Sequence, residues 1–162
     1  MALNAYLQLQ GDRQGEIKGS VTQKGAEGRI MVIAAEHSLT RPFDAARGVP
    51  TSRRKHSPFK VTKEVDRASP LLYSALVAGE RFTKWELQFY GFSQEAAEEQ
   101  NHYTVTLSNS VIIEIQSVMP NNKDPDLTKL EQYEVVSFLY QRIQWAWVQE
   151  GLTSQDDWAD VA

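Results

Sequence analysis

The sequence predicts a mainly β fold, a β-sandwich or small barrel of six to eight strands with one helix. Three observations lead there. Apolar residues recur with period two over most of the chain, the spacing of half-buried strands. Only one stretch carries both a start and a stop signal for a helix. At 162 residues, with 41% hydrophobic and 23% charged side chains, the chain has the length and balance of one globular domain, expected to cover residues 1–162.

The elements follow in order. Ala5 to Gln10 is a candidate strand with Tyr6 and Leu7 on opposite faces. Arg29 to His37 is a candidate strand whose run from Ile30 to Ala35 is apolar on both faces. Phe59 to Asp66 alternates, with β-branched Val61, Thr62 and Val65. A helix is expected over about residues 70–78: Ser69 suits the N-cap, Pro70 the first helical position and Gly79 the stop. Residues 82–90 alternate most cleanly, Trp85, Leu87 and Phe89 against Lys84, Glu86 and Gln88. Gln94 to Gln100 is a short helical turn or, preferably, a long hairpin loop between strands. Tyr103, Val105 and Leu107 form the next strand, and Val111, Ile113 and Ile115 resume after Ser108-Asn109.

Tyr133 to Val148 is apolar on both faces, with Val135, Leu139, Ile143, Trp145 and Trp147 on one and Val136, Phe138, Tyr140, Ala146 and Val148 on the other. A half-exposed antiparallel strand is polar on one side. Either this strand is central between covering layers, or its outer face meets another subunit. Leu39 to Pro58 is the least regular region, with Pro42, Gly48, Pro50, Pro58 and the basic run Arg53-Arg54-Lys55-His56. Long loops without elements are usually functional or disordered. Asn121 to Asp126 is a second polar connector.

Several chemistries are excluded. The chain has no Cys, which removes disulfides, thiolate zinc sites and a cysteine nucleophile. A net charge of −4 argues against nucleic acid as the main partner. No basic segment precedes an apolar run at the N-terminus, so no ordinary secretory signal is expected, and no stretch is apolar enough for a membrane span. His37, His56 and His102 lie too far apart for a local metal motif. Ser57-Pro58-Phe59-Lys60 matches the S-x-x-K pattern of Ser–Lys acylating enzymes. Pro58 and the strand-like residues after it oppose the helix that pattern needs. A small ligand-binding or hydrolytic barrel using Ser57 and Lys60 is the alternative reading. Asp124-Pro125-Asp126, Asp156-Asp157 and Glu98-Glu99 lack calcium-loop spacing and read as solvated charge. No catalytic, cofactor or metal site is expected.

Segments in fixed order nevertheless resemble a known family. They are Ala5-Tyr6-Leu7, Gly15-Glu16-Ile17-Lys18-Gly19-Ser20, Glu27-Gly28-Arg29-Ile30 with Glu36-His37, then Pro42, Asp44, Gly48, Arg54, His56 and Pro58. Lys63-Glu64-Val65-Asp66, Ser69-Pro70-Leu71-Leu72-Tyr73, Val136-Ser137-Phe138, Tyr140, Ile143, Trp145 and Asp157-Trp158 continue the series. The sequence resembles the Hcp family, the tube-forming proteins of bacterial type VI secretion systems. The resemblance implies a small β-barrel of two antiparallel sheets with one flanking helix, homo-hexameric rings that stack head-to-tail into a tube, a spike at the tip, a contractile sheath and baseplate, and effector proteins in the lumen. It implies synthesis in the cytoplasm and export by the machine, with neither membrane insertion nor nucleic-acid binding. No fused effector domain is expected after the barrel. The loop 39–58, with Phe43, Asp44, Arg47, Arg53, Arg54 and His56, is the candidate stacking element. Val136, Phe138, Tyr140, Trp145 and Trp147 are the candidate contacts within a ring.

Overall fold

Period-two alternation becomes strand wherever it is strongest. The computed structural model describes residues 3–160. In chain order it contains β1 (Asn4–Gly11), β2 (Gly15–Ile17), β3 (Ile30–Val32), β4 (Ala34–Glu36), β5 (Leu39–Thr40), β6 (Phe43–Asp44), β7 (Val49–Pro50), β8 (Lys55–His56) and β9 (Phe59–Glu64). Helix α1 (Ser69–Ala78) follows, then β10 (Arg81–Ser93), β11 (Glu98–Ser108), β12 (Ser110–Val118), β13 (Tyr133–Leu139), β14 (Arg142–Trp147) and β15 (Leu152–Asp157). The segment 94–97 is a turn between β10 and β11, so the hairpin reading holds.

Strand β10 organises the fold. Its first residues pair with β12, its middle with β1 and its second half with β11. Following the ladders from β1 leads to β3, across Ile33 to β4, then to β9, β13 and β12, and back to β10. The Ile33 N–H bonds the Thr62 carbonyl at 2.8 Å, which hands the chain from one neighbour to the other. The expected walls of the barrel are therefore joined in one curled antiparallel sheet. Strands β11, β14 and β15 leave it as a wing. The apolar run from Ile30 is two short strands rather than one, and Met31 and Ile33 are exposed. Each serves a different neighbour, so the kink at Ile33 turns alternate side chains outward.

The interior is aromatic at its centre. Trp85 meets Phe59 and Phe138 edge-on at 5.1 and 5.4 Å, and Phe82 meets Phe138 at 5.8 Å. Such pairs contribute about 0.5–1.5 kcal/mol each beyond area burial. Leu7, Leu9, Ile30, Val61, Leu72, Leu87 and Ile143 fill the space around them.

The two-faced segment 133–148 is two strands with a break at Tyr140-Gln141. Val136 and Phe138 face the barrel core, fully buried, and Tyr140 is buried at the break. These three are core residues, which corrects their assignment as ring contacts. Strand β13 pairs with β9 and β12 in the sheet, and Val135 and Leu139 on its other face are half-buried.

Helix α1 ends as expected, with Gly79 left-handed at φ 62° and Glu80 N–H returning to the Ala75 carbonyl at 2.9 Å. Its start differs. The cap position is Ala68, and the Ser69 hydroxyl turns inward, donating to Glu134 at 2.6 Å and accepting from Lys63 Nζ at 3.1 Å. Lys63 reaches Glu134 at 2.5 Å and Asp66 at 3.0 Å. This buried ionic knot pins the helix start to β9 and β13.

One close approach depends on a missing side chain. A Cβ on Gly19 would lie 2.4 Å from the Arg29 carbonyl oxygen and 2.7 Å from Ile30 Cα, both backbone atoms. Gly19→Ala must part the Gly19 segment from the start of β3, and an overpacking cost of about 1–3 kcal/mol is expected. The midpoint of urea unfolding reads it; an unchanged midpoint would show that the loop yields freely.

Candidate functional site

Residues 39–58 are not elementless. Strand β5 pairs with β8, and β6 pairs with β7 beyond it. The tip is closed by Asp44, whose carbonyl accepts the Gly48 N–H at 2.7 Å and whose Oδ1 accepts the Ala46 N–H at 2.9 Å. Thr51 N–H bonds the Pro42 carbonyl at 2.9 Å. The region is a hairpin arm of two short ladders. It buries little of itself: Phe43 is 67% and Val49 47% exposed, and Arg41, Arg47, Arg53 and Lys55 are exposed.

The arm is positively charged. Residues 39–58 hold five basic side chains and one acidic, net +4, in a chain of −4, so the rest carries −8. The stacking candidates divide accordingly. Phe43, Arg47 and Arg53 are presented outward, while Asp44 shapes the tip and stands about 4.0 Å from Arg47.

Arg54 and His56 are engaged inside the molecule, which corrects their assignment as contacts to another ring. Arg54 donates to Asp156 at 2.5 Å and to the carbonyls of Asp157 and Asp160 at 2.8 and 3.0 Å. His56 Nε2 lies 2.6 Å from the same Asp156 oxygen, its Nδ1 lies 2.9 Å from the Tyr140 hydroxyl, and its ring stacks on Trp158 at 5.3 Å. His37 Nε2 approaches the Tyr140 hydroxyl from the other side at 2.6 Å, and its ring stacks on Phe59. Arg54 and His56 hold the Asp156 carboxyl below its usual range, the Arg54 hydrogen bond being the largest cause. Burial pushes the Tyr140 phenol up to about 12, so it stays protonated. Burial lowers His37, and nearby His56 adds to it.

Ser57 completes this root. Its hydroxyl accepts the Ser38 N–H at 2.8 Å and donates to the Ser38 carbonyl at 2.9 Å. Ser57 straps the two ends of the arm together, and Lys60, exposed on β9, lines the same recess without a hydrogen bond to the Ser57 hydroxyl. No base faces the Ser57 oxygen among its hydrogen-bond partners.

The wing supplies a second surface. Trp145 packs against the core, while Trp147 is 39% exposed and meets His102 edge-on at 5.8 Å. Val148 and Leu152 are exposed beside it, Leu152 being the register partner of Trp147. Leu3 and Phe92 are also exposed, and Leu3 and His102 both lie against Gly91. Of the ring candidates, Trp147 is the one the fold presents outward. Leu152 went unseen in the sequence because β15 has no apolar alternation.

The sequence segments that resemble a known family run along almost the whole chain, arm and root included, and comparison with known proteins agrees. A family model described as "Type VI secretion system effector, Hcp" matches residues 6–147. The chain is 37% identical to the "Major exported protein" of Pseudomonas aeruginosa, over 98% of this chain and 96% of that one. Among solved structures, one described as Hcp protein superposes with a TM-score of 0.89 at 27% identity, covering 99% of this chain and all of that one. A double mutant of Hcp1 from the E. coli EAEC 042 pathovar gives 0.84 at 32% identity, covering 96% and 98%.

Proposed function

This chain belongs to the Hcp family of type VI secretion proteins, and on that premise we propose that it is a subunit of the secretion tube, closing into rings of six that stack through the arm. One observation carries the reading: a positively charged, apolar-tipped arm stands on an acidic barrel. Head-to-tail addition needs two different, complementary surfaces on each subunit, and an arm of +4 against a body of −8 offers such a pair. The wing around Trp147 and Leu152 is the contact within a ring. The spike, the contractile sheath and baseplate, and small effector proteins in the lumen are the partners of such a tube.

The Pseudomonas relative is named as an exported protein, and export of this chain by the secretion machine suits the lack of Cys, since passage to an oxidising exterior involves no thiol chemistry. No helix among the described residues is long and apolar enough to cross a membrane.

Light scattering after size exclusion, with negative-stain images of the peak, tests the ring. The expected mass is near six times 18.4 kDa, with ring-shaped particles. Trp147→Asp is expected to leave folded subunits of monomer mass. A stable wild-type monomer, or an intact ring in that variant, would overturn the ring or its assigned contact respectively.

A further inference from the structure

Strand β9 relates the two ends of the barrel. The arm leaves at the Phe59 end, where His56 and Pro58 precede the strand. Six residues of strand later, β9 finishes at Glu64. A strand of that length spans about 17–20 Å, so the root of the arm and the turn after Glu64 sit at opposite ends of one barrel wall. Head-to-tail addition brings opposite ends of two copies together. Along this wall, the end a second copy's arm meets is the Glu64 end.

A preformed recess lies there. It has a volume of about 410 Å3 and is lined by Val21, Gln23, Met31, Glu64, Val65 and Asp66. One side is the loop between β2 and β3. In it the Gly28 N–H donates to the Val21 carbonyl at 2.9 Å, the Val21 N–H to the Arg29 carbonyl at 3.3 Å, and the Tyr6 hydroxyl to Gln23 Oε1 at 2.6 Å. The other side is the turn after β9, where the Val65 N–H donates to the Gln132 carbonyl at 3.3 Å and Asp66 holds Lys63 at 3.0 Å. Both sides are ordered before anything binds, which lowers the cost of association.

The lining matches the arm tip in two respects. Met31 and Val65 are exposed apolar side chains, as are Phe43 and Val49 on the arm. The charged side chains in the lining, Glu64 and Asp66, are both acidic, and Gln23 ties Glu99 to the rim at 3.3 Å. Lys24 and Arg67 flank the recess without lining it. The tip brings Arg47, which is exposed. Other recesses fit worse. The one beside Trp158 is lined by Arg53, Arg54 and Lys55 and repels a positive arm. The one beside Phe92 includes His102, the neighbour of Trp147, and belongs to the wing.

We propose that the recess between the 20–23 loop and the 64–66 turn receives the arm tip of a second copy of this chain, with Phe43 against Met31 and Val65 and Arg47 facing Glu64. The pairing rests on the tube reading and adds the acceptor to it.

The chain has no Cys, so Ala46→Cys combined with Thr22→Cys puts one thiol on the tip and one on the recess. A short bismaleimide added to sedimented tubes is expected to give a ladder on denaturing gels that runs well past six subunits, because each copy is joined to one above and one below. Either single variant is expected to give dimers at most. Glu64→Arg is expected to lower the sedimented fraction several-fold with the ring mass unchanged, and Arg47→Glu in the same chain to restore most of it. Tubes without a ladder would overturn the acceptor and leave the tube reading standing. So would a ladder that ends at six, the mark of an arm received by a neighbour within its own ring, or Glu64→Arg tubes that sediment like the wild type. Wild-type rings that never stack would overturn both.

Discussion

Lys63→Met is expected to destabilise the protein by about 3–5 kcal/mol, the usual cost of breaking a buried ion pair by removing one partner. Lys63 is 0% and Glu134 1% exposed. The ammonium is held by Glu134 and Asp66, with Ser69 Oγ and the Glu64 carbonyl completing its donors. In the variant Glu134 keeps only the Ser69 hydroxyl among those partners, and a carboxylate without a counter-charge faces the packed start of α1. The loss should fall between β9 and β13 first, where the two ends of the pair lie, and at the start of α1 beside them. The double variant Lys63→Met with Glu134→Leu is expected to recover most of the stability, because replacing the whole pair by apolar side chains is often neutral or favourable. Urea unfolding of the two variants decides it. Equal losses in both would mean that packing volume, not uncompensated charge, sets the cost.

That knot was only half legible in the sequence. Lys63, Asp66 and Ser69 are near neighbours in the sequence, but Ser69 has the residue type of a helix cap. Nothing local reveals that Glu134, 65 residues away, claims its hydroxyl. By contrast β10 is plain from Phe82 to Phe89, because it buries Trp85 and Leu87 on one face against the core and a strand with one dry face must alternate. The arm was opaque for the opposite reason. Ladders two residues long cannot show a period, and Pro42 and Pro50 suit a narrow hairpin with no central strand.

The candidate surfaces divide along the same line. Apolar residues at 133–148 carry the same letters whether they meet the protein's own interior or a neighbour. Val136 and Phe138 proved to be core, whereas Trp147 lies past the break at Tyr140, where the chain joins the wing. The basic run 53–56 likewise alternates outward residues, Arg53 and Lys55, with internally paired ones, Arg54 and His56. Asp156, the residue that decides this, is about a hundred positions away. Interfaces are read from exposure, and exposure depends on distant partners that a period cannot encode.

Phe43→Asp is expected to abolish stacking while leaving the subunit as stable as before. Phe43 lies on β6 at the outer ladder, paired with Pro50 and 67% exposed. A surface residue with no internal role changes stability by no more than about 0.5 kcal/mol. At a ring-to-ring contact the same side chain contributes about 1.5–3 kcal/mol on burial, and a ring of six multiplies that contact by the number of arms it presents. Losing it, and placing a carboxylate at the apolar tip of a positive arm, therefore acts many times over on assembly and hardly at all on the fold. Salt separates the two attractions available to the arm. If charge between arm and acidic body dominates, wild-type stacking weakens as salt rises; if Phe43 and Val49 dominate, it holds or strengthens, because screening acts on exposed charges and not on apolar contact. Unfolding midpoints and sedimentation of assembled tubes, measured side by side, check both halves. Normal tubes from Phe43→Asp would place the stacking contact elsewhere on the barrel, and a lowered midpoint would mean that the arm tip touches its own subunit in solution.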